Sequence, residues 1–328
     1  MKSFFNIKSI IGILISVGGI YFSFRNIDVS DLKNELLKTN IYILLIASLL
    51  LILTVYWRGI RWRYLLIHIK EVPAKELYKA EMIGYFGSNV FPLRLGELMR
   101  SYFVSQQHDI KNSTVFGTIV FERLLDTMGL LFLSTFLVFF KSIDHPEIEN
   151  FLRYGIIVGT IFFIVVLIVI NRFETFEAKN KYTEIIRDFM FGMTSLKQKY
   201  RTPVILYTLL LWCSYWAITH LVQLSMDLDF SILQSLMILI ITSLAMSIPA
   251  APGMIGTFHL SVVFVMVNLF GYSDTDSQPQ SFAIIYHAYG YISLTVVGAY
   301  YFFKSKFHEN AFEDLKNLSS RKSKTEKP

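Results

Sequence analysis

Three charged residues, Glu122, Arg123 and Asp126, interrupt an apolar stretch that runs from Val115 to Phe140. Crossing the hydrocarbon core of a bilayer takes about 20 predominantly apolar residues. A helix that entered only after Asp126 would have just Thr127 to Phe140 before Lys141, which is too short. The charges are therefore drawn into the membrane. Ionisable side chains there are costly, face protein or water, and mark a functional site by default. Upstream lies a second polar cluster, Asn89-Val-Phe-Pro92-Leu-Arg94-Leu-Gly96-Glu97-Leu-Met-Arg100. Together the two clusters predict a polar chamber inside an integral membrane protein.

Composition agrees. Only 17% of residues are charged and 53% are hydrophobic, with a mean hydropathy of +0.47. Soluble domains carry about 25% charged residues. The expected class is an all-α polytopic membrane protein without a large soluble domain. The net charge of +6 reflects basic loops. No basic folded surface with aromatic or groove-reading elements accompanies it, so no nucleic-acid partner is expected. The single cysteine, Cys213, lies in an apolar run and reads as a packing residue.

About eight transmembrane helices are expected, near 9–24, 41–57, 115–140, 154–171, 203–226, 231–249, 257–271 and 282–303. The first follows Lys2 and Lys8, and no small-x-small cleavage site follows it, so it reads as an uncleaved span. With the N-terminus inside, the cytoplasmic segments hold 25 Lys and Arg residues against five in the outward loops. This predicts cytoplasmic termini in the cell (plasma or inner) membrane. Residues 1–304 are expected to form the membrane domain and 305–328 a disordered basic cytoplasmic tail. Trp57, Arg58, Arg61, Trp62 and Arg63 read as an aromatic-basic belt at the inner interface, and 74–86 as an amphipathic helix on the inner leaflet.

Two stretches are interrupted. Gly84 to Leu98 is too apolar for a loop and too short to span, and Gly84, Gly87, Pro92 and Gly96 break it. That pattern predicts a re-entrant hairpin, because irregular backbone at membrane depth must be buried in protein or line water. The second break is Ser247-Ile-Pro249-Ala-Ala-Pro252-Gly253-Met-Ile-Gly256-Thr257-Phe-His259. Broken segments in corresponding positions of two halves point to a transporter's binding site, and they suggest an internal two-fold repeat.

The chemistry of the first break suits a phosphate. Arginine grips phosphate oxygens bidentately. Asn89, Arg94, Glu97 and Arg100 form the candidate set, with Arg94 the first choice for the phosphate and Glu97 holding one arginine in place. The alternative is an Arg–Glu network that only fixes the hairpin. Glu122 and Asp126 share a helix face, with Arg123 three residues from Asp126. They suit either pairing with Arg94 or Arg100 across the chamber or carrying a proton. At the second break Gly253, Gly256 and Thr257 permit a tight turn before a helix N-terminus, where anions are favoured. His259 follows and titrates near neutral pH when unperturbed; His287 and His220 are weaker candidates. Asp274 and Asp276 have the spacing of a glycosyltransferase metal motif but no nucleotide-binding domain beside them. No metal site, cofactor, zinc, P-loop or dinucleotide signature is read.

At these residues the sequence resembles the flippase-like transmembrane family typified by the membrane half of lysylphosphatidylglycerol synthase, the multiple peptide resistance factor. The resemblance rests on Asn89-x-x-Pro92-x-Arg94-x-Gly96-Glu97-x-x-Arg100, Glu122-Arg123-x-x-Asp126 and Pro252-Gly253-x-x-Gly256-Thr257. It covers nearly the whole chain. It implies re-entrant helices around a cavity, lined by Arg94, Glu97, Arg100, Glu122, Arg123 and Asp126, in a domain thought to move a lipid between leaflets. Two departures stand out: Met254 replaces a frequent second glycine, and His259 stands near a position that is often acidic. The synthase's soluble aminoacyl-transfer domain is absent from this sequence, so lysyl-lipid need not be the cargo.

The expected function is a lipid flippase or transporter for an anionic phospholipid or polyprenyl-phosphate-linked lipid. Its headgroup would be held by intramembrane arginines. No ATP-binding motif is read, which leaves an ion gradient, consumption of cargo on one side, or no energy source. The alternatives are an integral-membrane enzyme acting on a lipid phosphate, with His259 or a carboxylate as general base, and an accessory subunit of a lipid or glycan biosynthetic enzyme.

Overall fold

A computed structural model describes residues 7–25, 28–91, 95–140, 145–172, 180–194, 196–247, 251–273 and 275–305. Among them the chain is helical, with no strand. The first half comprises α1 (Ile7–Phe24), α2 (Val29–Leu37), α3 (Ile41–Leu66), α4 (Ala74–Val90), α5 (Gly96–His108) and α6 (Asn112–Phe139). The second comprises α7 (Pro146–Arg172), α8 (Lys181–Met193), α9 (Arg201–Ser225), α10 (Ile232–Ala245), α11 (Thr257–Phe270) and α12 (Ser277–Lys304). Short 3-10 turns precede α9 (Gln198–Tyr200) and α11 (Pro252–Met254).

The eight apolar stretches become α1, α3, α6, α7, α9, α10, α11 and α12. Five segments are long and apolar enough to cross a bilayer on length and composition alone: Ile41–Leu66, Pro146–Ile170, Gln198–Ser225, Pro252–Phe270 and Ser277–Lys304. The fold is that of an all-α polytopic membrane protein. Only 6% of the most apolar part of α7 is buried, so this helix lies at the periphery, where lipid is the partner of its apolar side chains.

Local chemistry sets several boundaries. Asn40 caps α3, its Oδ1 accepting from the Tyr42 amide at 3.0 Å. Ser231 and Gln234 form a reciprocal capping box at the start of α10. Asp109 ends α5 in the left-handed region at φ +49°, and Gly271 ends α11 at φ +78°.

α5 and α10, with 13 and 14 residues, are too short to cross the membrane on their own. α4, with 17, stands at the lower limit, and α11, with 14, reaches spanning length only together with the 3-10 turn before it. At 1.5 Å per residue, 14 residues reach about 21 Å, short of the roughly 30 Å hydrocarbon core. α4 and α5 pack against each other as the expected hairpin. Their approach requires glycine: a Cβ on Gly96 would overlap the Gly84 carbonyl oxygen and Ser88.

The hairpin differs from its sequence reading in one respect. α4 is no surface helix; Leu77, Ala80, Glu81, Met82, Ile83, Gly84, Phe86 and Gly87 are all buried. It is wedged against α3, α5 and α12. Lys75, Glu76 and Lys79 made the segment look amphipathic, but Leu77, Glu81 and Gly84 share one stripe at helical spacing, and that stripe faces protein. The expected disordered tail lies outside the described residues from 306 onward.

Candidate functional site

Four helices bring eight charges into one network. α3 contributes Arg58 and Arg61, α4 contributes Glu81, α5 contributes Glu97 and Arg100, and α6 contributes Glu122, Arg123 and Asp126. The four guanidinium and four carboxylate charges cancel. At the centre stands Glu122, with none of its side chain exposed. Its Oε1 accepts a hydrogen bond from Arg58 Nη2 and lies 3.2 Å from Arg61 Nη2 and 3.6 Å from Arg100 Nη1.

Asp126, one turn further along α6, takes Arg61 Nη2 at 2.7 Å and Arg58 Nη2 at 3.0 Å. Arg58 Nε also lies 3.7 Å from Glu81 Oε2. Arg100 Nη1 bonds Glu81 Oε1, and its guanidinium sits 5.0 Å from the centre of the Trp62 ring. Trp62 Nε1 donates to Thr118 Oγ1 at 2.9 Å, and Arg61 Nη1 donates to Thr208 Oγ1 at 3.1 Å. These two bonds hold the arginine-bearing face of α3 against α6 and α9.

One pair stands at the edge. Arg123 is 44% exposed and Glu97 32%, and Arg123 Nε donates to Glu97 Oε1 at 2.8 Å. Arg123 Nη1 lies 3.5 Å from Asp126, the three-residue pairing expected from sequence. The inner part is sealed but not saturated: Arg58 Nε, Arg100 Nε, Arg100 Nη2 and Glu122 Oε2 are buried without a hydrogen-bond partner.

The predicted site residues divide. Glu97, Arg100, Glu122, Arg123 and Asp126 meet in this network. Glu97 holds one arginine, Arg123, and Arg100 lies 3.6 Å from Glu122 across the chamber, both as expected; the added partner is Glu81, which also holds Arg100. Arg94, the first choice for a phosphate, lies outside the described residues, as does Pro92. Asn89 sits eight residues beyond Glu81 on α4, about 12 Å along the axis. Its Nδ2 donates to Thr295 Oγ1 on α12 at 2.9 Å.

Gly253, Gly256, Thr257 and His259 gather at the second break. The 3-10 turn there packs against the end of α4, so the two interrupted segments adjoin. Tyr291 bridges them, its hydroxyl donating to the Asn89 carbonyl at 3.4 Å and its ring filling the space a Cβ on Gly253 would need. Gly256 has φ +94°, and a Cβ there would overlap the Ser16 carbonyl oxygen of α1.

Sequence reasoning missed Arg58, Arg61 and Glu81. The belt reading is corrected here: Arg58, Arg61 and Trp62 are buried, and only Arg63 of the three arginines reaches solvent, paired with Glu71. A signal was present. Arg58, Arg61 and Trp62 fall at i, i+3 and i+4, one helix face, and apolar Leu65 and Leu66 continue that face instead of ending it.

The arrangement of short helices around a buried charge network coincides with a family match. The model of the lysylphosphatidylglycerol synthase TM region matches residues 9–298. The chain belongs to this family. Among curated relatives, the UPF0104 membrane protein MJ1078 of Methanocaldococcus jannaschii is 27% identical over 229 residues, which is 66% of this chain and 93% of that protein. A second protein from the same organism, the UPF0104 membrane protein MJ1595, is 26% identical over 184 residues, 55% of this chain and 54% of that one. No solved structure matches. The charge network and both interrupted segments fall inside the segment matched to the lysylphosphatidylglycerol synthase TM region family.

Proposed function

We propose that this family member is a lipid transporter of the cell's plasma or inner membrane, with both termini cytoplasmic. Its cargo is an anionic phospholipid or a polyprenyl-phosphate-linked lipid. One observation carries the reading: a buried, charge-neutral network with, among the described residues, one half-exposed guanidinium, Arg123, at its edge. A phosphate reaching that edge competes with Glu97 for Arg123, and the released Glu97 leaves the fold otherwise intact. Arg94 joins Arg123 in replacing the headgroup's lost hydration, while Arg100 stays held by Glu81, and Glu122 and Asp126 hold the arginines of α3. Asn89, Gly253, Gly256, Thr257 and His259 form the adjoining wall at the second break. The acyl chains stay in the bilayer.

Transport is preferred over chemistry on the lipid because Glu81, Glu97, Glu122 and Asp126 each already hold at least one guanidinium. A carboxylate so engaged is a poor proton acceptor.

The test is a lipid inventory of the purified protein by mass spectrometry, comparing wild type with folded Arg123→Gln. Enrichment of one anionic lipid class in the wild type, lost in the variant, is the expected result. Bulk lipid proportions in both would overturn the headgroup site. Conversion of the bound lipid in detergent would favour the enzymatic reading, and stable copurification of a lipid or glycan synthase the accessory one.

A further inference from the structure

His259 and His287 stand apart from the arginine network and face each other across the second break. Their ring centroids are 4.8 Å apart. Each ring has one nitrogen committed to backbone. His287 Nε2 lies 2.6 Å from the Gly253 carbonyl oxygen. A carbonyl only accepts, so this nitrogen carries a proton in either charge state. The Gly256 amide donates to His259 Nδ1 at 3.5 Å. An amide N–H only donates, so Nδ1 of neutral His259 is unprotonated and its Nε2 carries the hydrogen.

The two rings therefore respond differently to a proton. Protonating His259 at Nδ1 would set two N–H groups against each other and undo the contact with Gly256, the residue at φ +94° on which the break turns. Protonating His287 at Nδ1 breaks no bond among the described residues. It turns the bond to Gly253 into a charge-assisted one, which is shorter and stronger than its neutral counterpart.

Among the described residues, no carboxylate bonds either ring. α1, α10, α11, α12 and the 3-10 turn contain no Asp or Glu. On α1 and just after it, Tyr21 and Arg25 are both engaged with the Phe22 ring, and Phe24 faces His259. On α12, Tyr286 is bonded to Thr219 of α9, and Tyr291 stacks on His287. α3 reaches α12 at Gly290 through Leu51. Glu35 of α2 pairs with Lys38, and Asp31 and Lys33 are exposed. Glu81 of α4 lies two helical turns from Asn89, about 12 Å along the axis.

We propose that His259 and His287 form a one-proton site, with His287 Nδ1 as the accepting atom, which clamps the helix break to α12 when charged. One proton binds from water and no covalent bond changes. The second is opposed by like charge at short range, an effect worth roughly a hundredfold or more in affinity at the dielectric of a protein interior. If the chain moves lipid as proposed above, this site supplies the coupling ion; the site itself does not depend on that reading.

The test is NMR of the full-length protein in lipid nanodiscs with 13Cε1-labelled histidine, titrated over about pH 5–8, where histidine charges change. Signals are assigned by loss in His259→Gln and in His287→Gln, with Asn replacing Gln if either fails to fold. The expected result is that the His287 signal moves to its charged position while the His259 signal keeps its neutral one. Amide exchange over 251–257, corrected for intrinsic pH dependence, should slow in step. Both rings charging together, or neither moving, would overturn the proposal. No cargo is needed for either readout, so failure of the transport reading would leave this one measurable.

Discussion

Removing the charge of Glu122 should destabilise the protein severely, and removing Arg58 with it should restore most of the loss. In Glu122→Gln the shape persists but the network gains a net positive charge in a sealed environment. Arg58, Arg61 and Arg100 all converge on the same Oε1. Breaking a buried pair by removing one partner costs about 3–5 kcal/mol. Unfolding entropy of roughly 2.1 cal/mol/K per residue gives about 0.7 kcal/mol per degree for 328 residues. The expected drop in Tm is therefore about 4–7 °C. The double variant Glu122→Gln with Arg58→Gln is neutral again. It leaves three one-to-one pairs: Arg61 with Asp126, Arg100 with Glu81 and Arg123 with Glu97. The two changes should couple by about 2 kcal/mol or more, since groups in one ion-pair network are not additive. The assay is thermal unfolding of the detergent-solubilised protein by intrinsic tryptophan fluorescence, for wild type, both singles and the double. A Glu122→Gln variant within about 1 kcal/mol of wild type, or a double variant no better than the worse single, would refute the argument that the network must stay neutral.

Three other outcomes follow from the geometry. Arg123→Gln, at the half-exposed pair, should cost less than about 1 kcal/mol in stability while abolishing lipid enrichment; thermal unfolding and lipid mass spectrometry on one preparation separate the two. Gly256→Ala places a side chain at φ +94° against the Ser16 carbonyl. It should cost at least about 1–3 kcal/mol, read as a lower Tm, with protease sensitivity rising between α10 and α11. Outside the apolar spans, Lys111 bonds Glu184 at 2.7 Å and Asp188 at 2.8 Å, tying α8 to the start of α6. The Lys111 bond holds Glu184 below the usual carboxylate range. Burial raises Asp188, but bonds from Lys111 and Arg187 outweigh it and hold it low as well. Depressed folded values mean that the tether is fully present above the ordinary carboxylate range, about pH 4, and fades as pH falls below it. Amide exchange in α8 should accelerate on acidification in the wild type and be fast already at neutral pH in Lys111→Ala.

Much of the fold was legible in the sequence because a bilayer leaves few choices. Backbone polar groups must be satisfied internally, so a long apolar run is a helix, and every expected span became one. The glycines at 84, 87 and 96 announced the hairpin because close helix approach excludes a Cβ. Partnership across helices was less legible. From sequence Arg58 and Arg61 read as part of an interfacial belt, because a basic cluster at the end of an apolar run is usually interfacial. Only the position of α6 beside α3 shows that two carboxylates are waiting for them. Glu81 was hidden in the same way, its neighbours Lys75, Glu76 and Lys79 suggesting a solvated face. In both cases the helical period placed the residue on the apolar stripe, and the stripe was the better guide.

A neutral network is a more suitable device for moving a headgroup than an unpaired arginine would be. A bare guanidinium in a low-dielectric chamber would bind a phosphate tightly and release it slowly, whereas transport requires that binding be strong enough to enter and weak enough to leave. On the proposed transport reading, carboxylates occupy the arginines when cargo is absent, so a phosphate would gain only the difference between two ionic partners. Exposure should then set where exchange begins. Arg58, Arg61 and Arg100 are sealed and each contacts two or more carboxylates, while Arg123 is open and its 2.8 Å partner is the similarly open Glu97. The sealed arginines are the ones whose loss should unfold the protein, and the open one is the one whose loss should silence it.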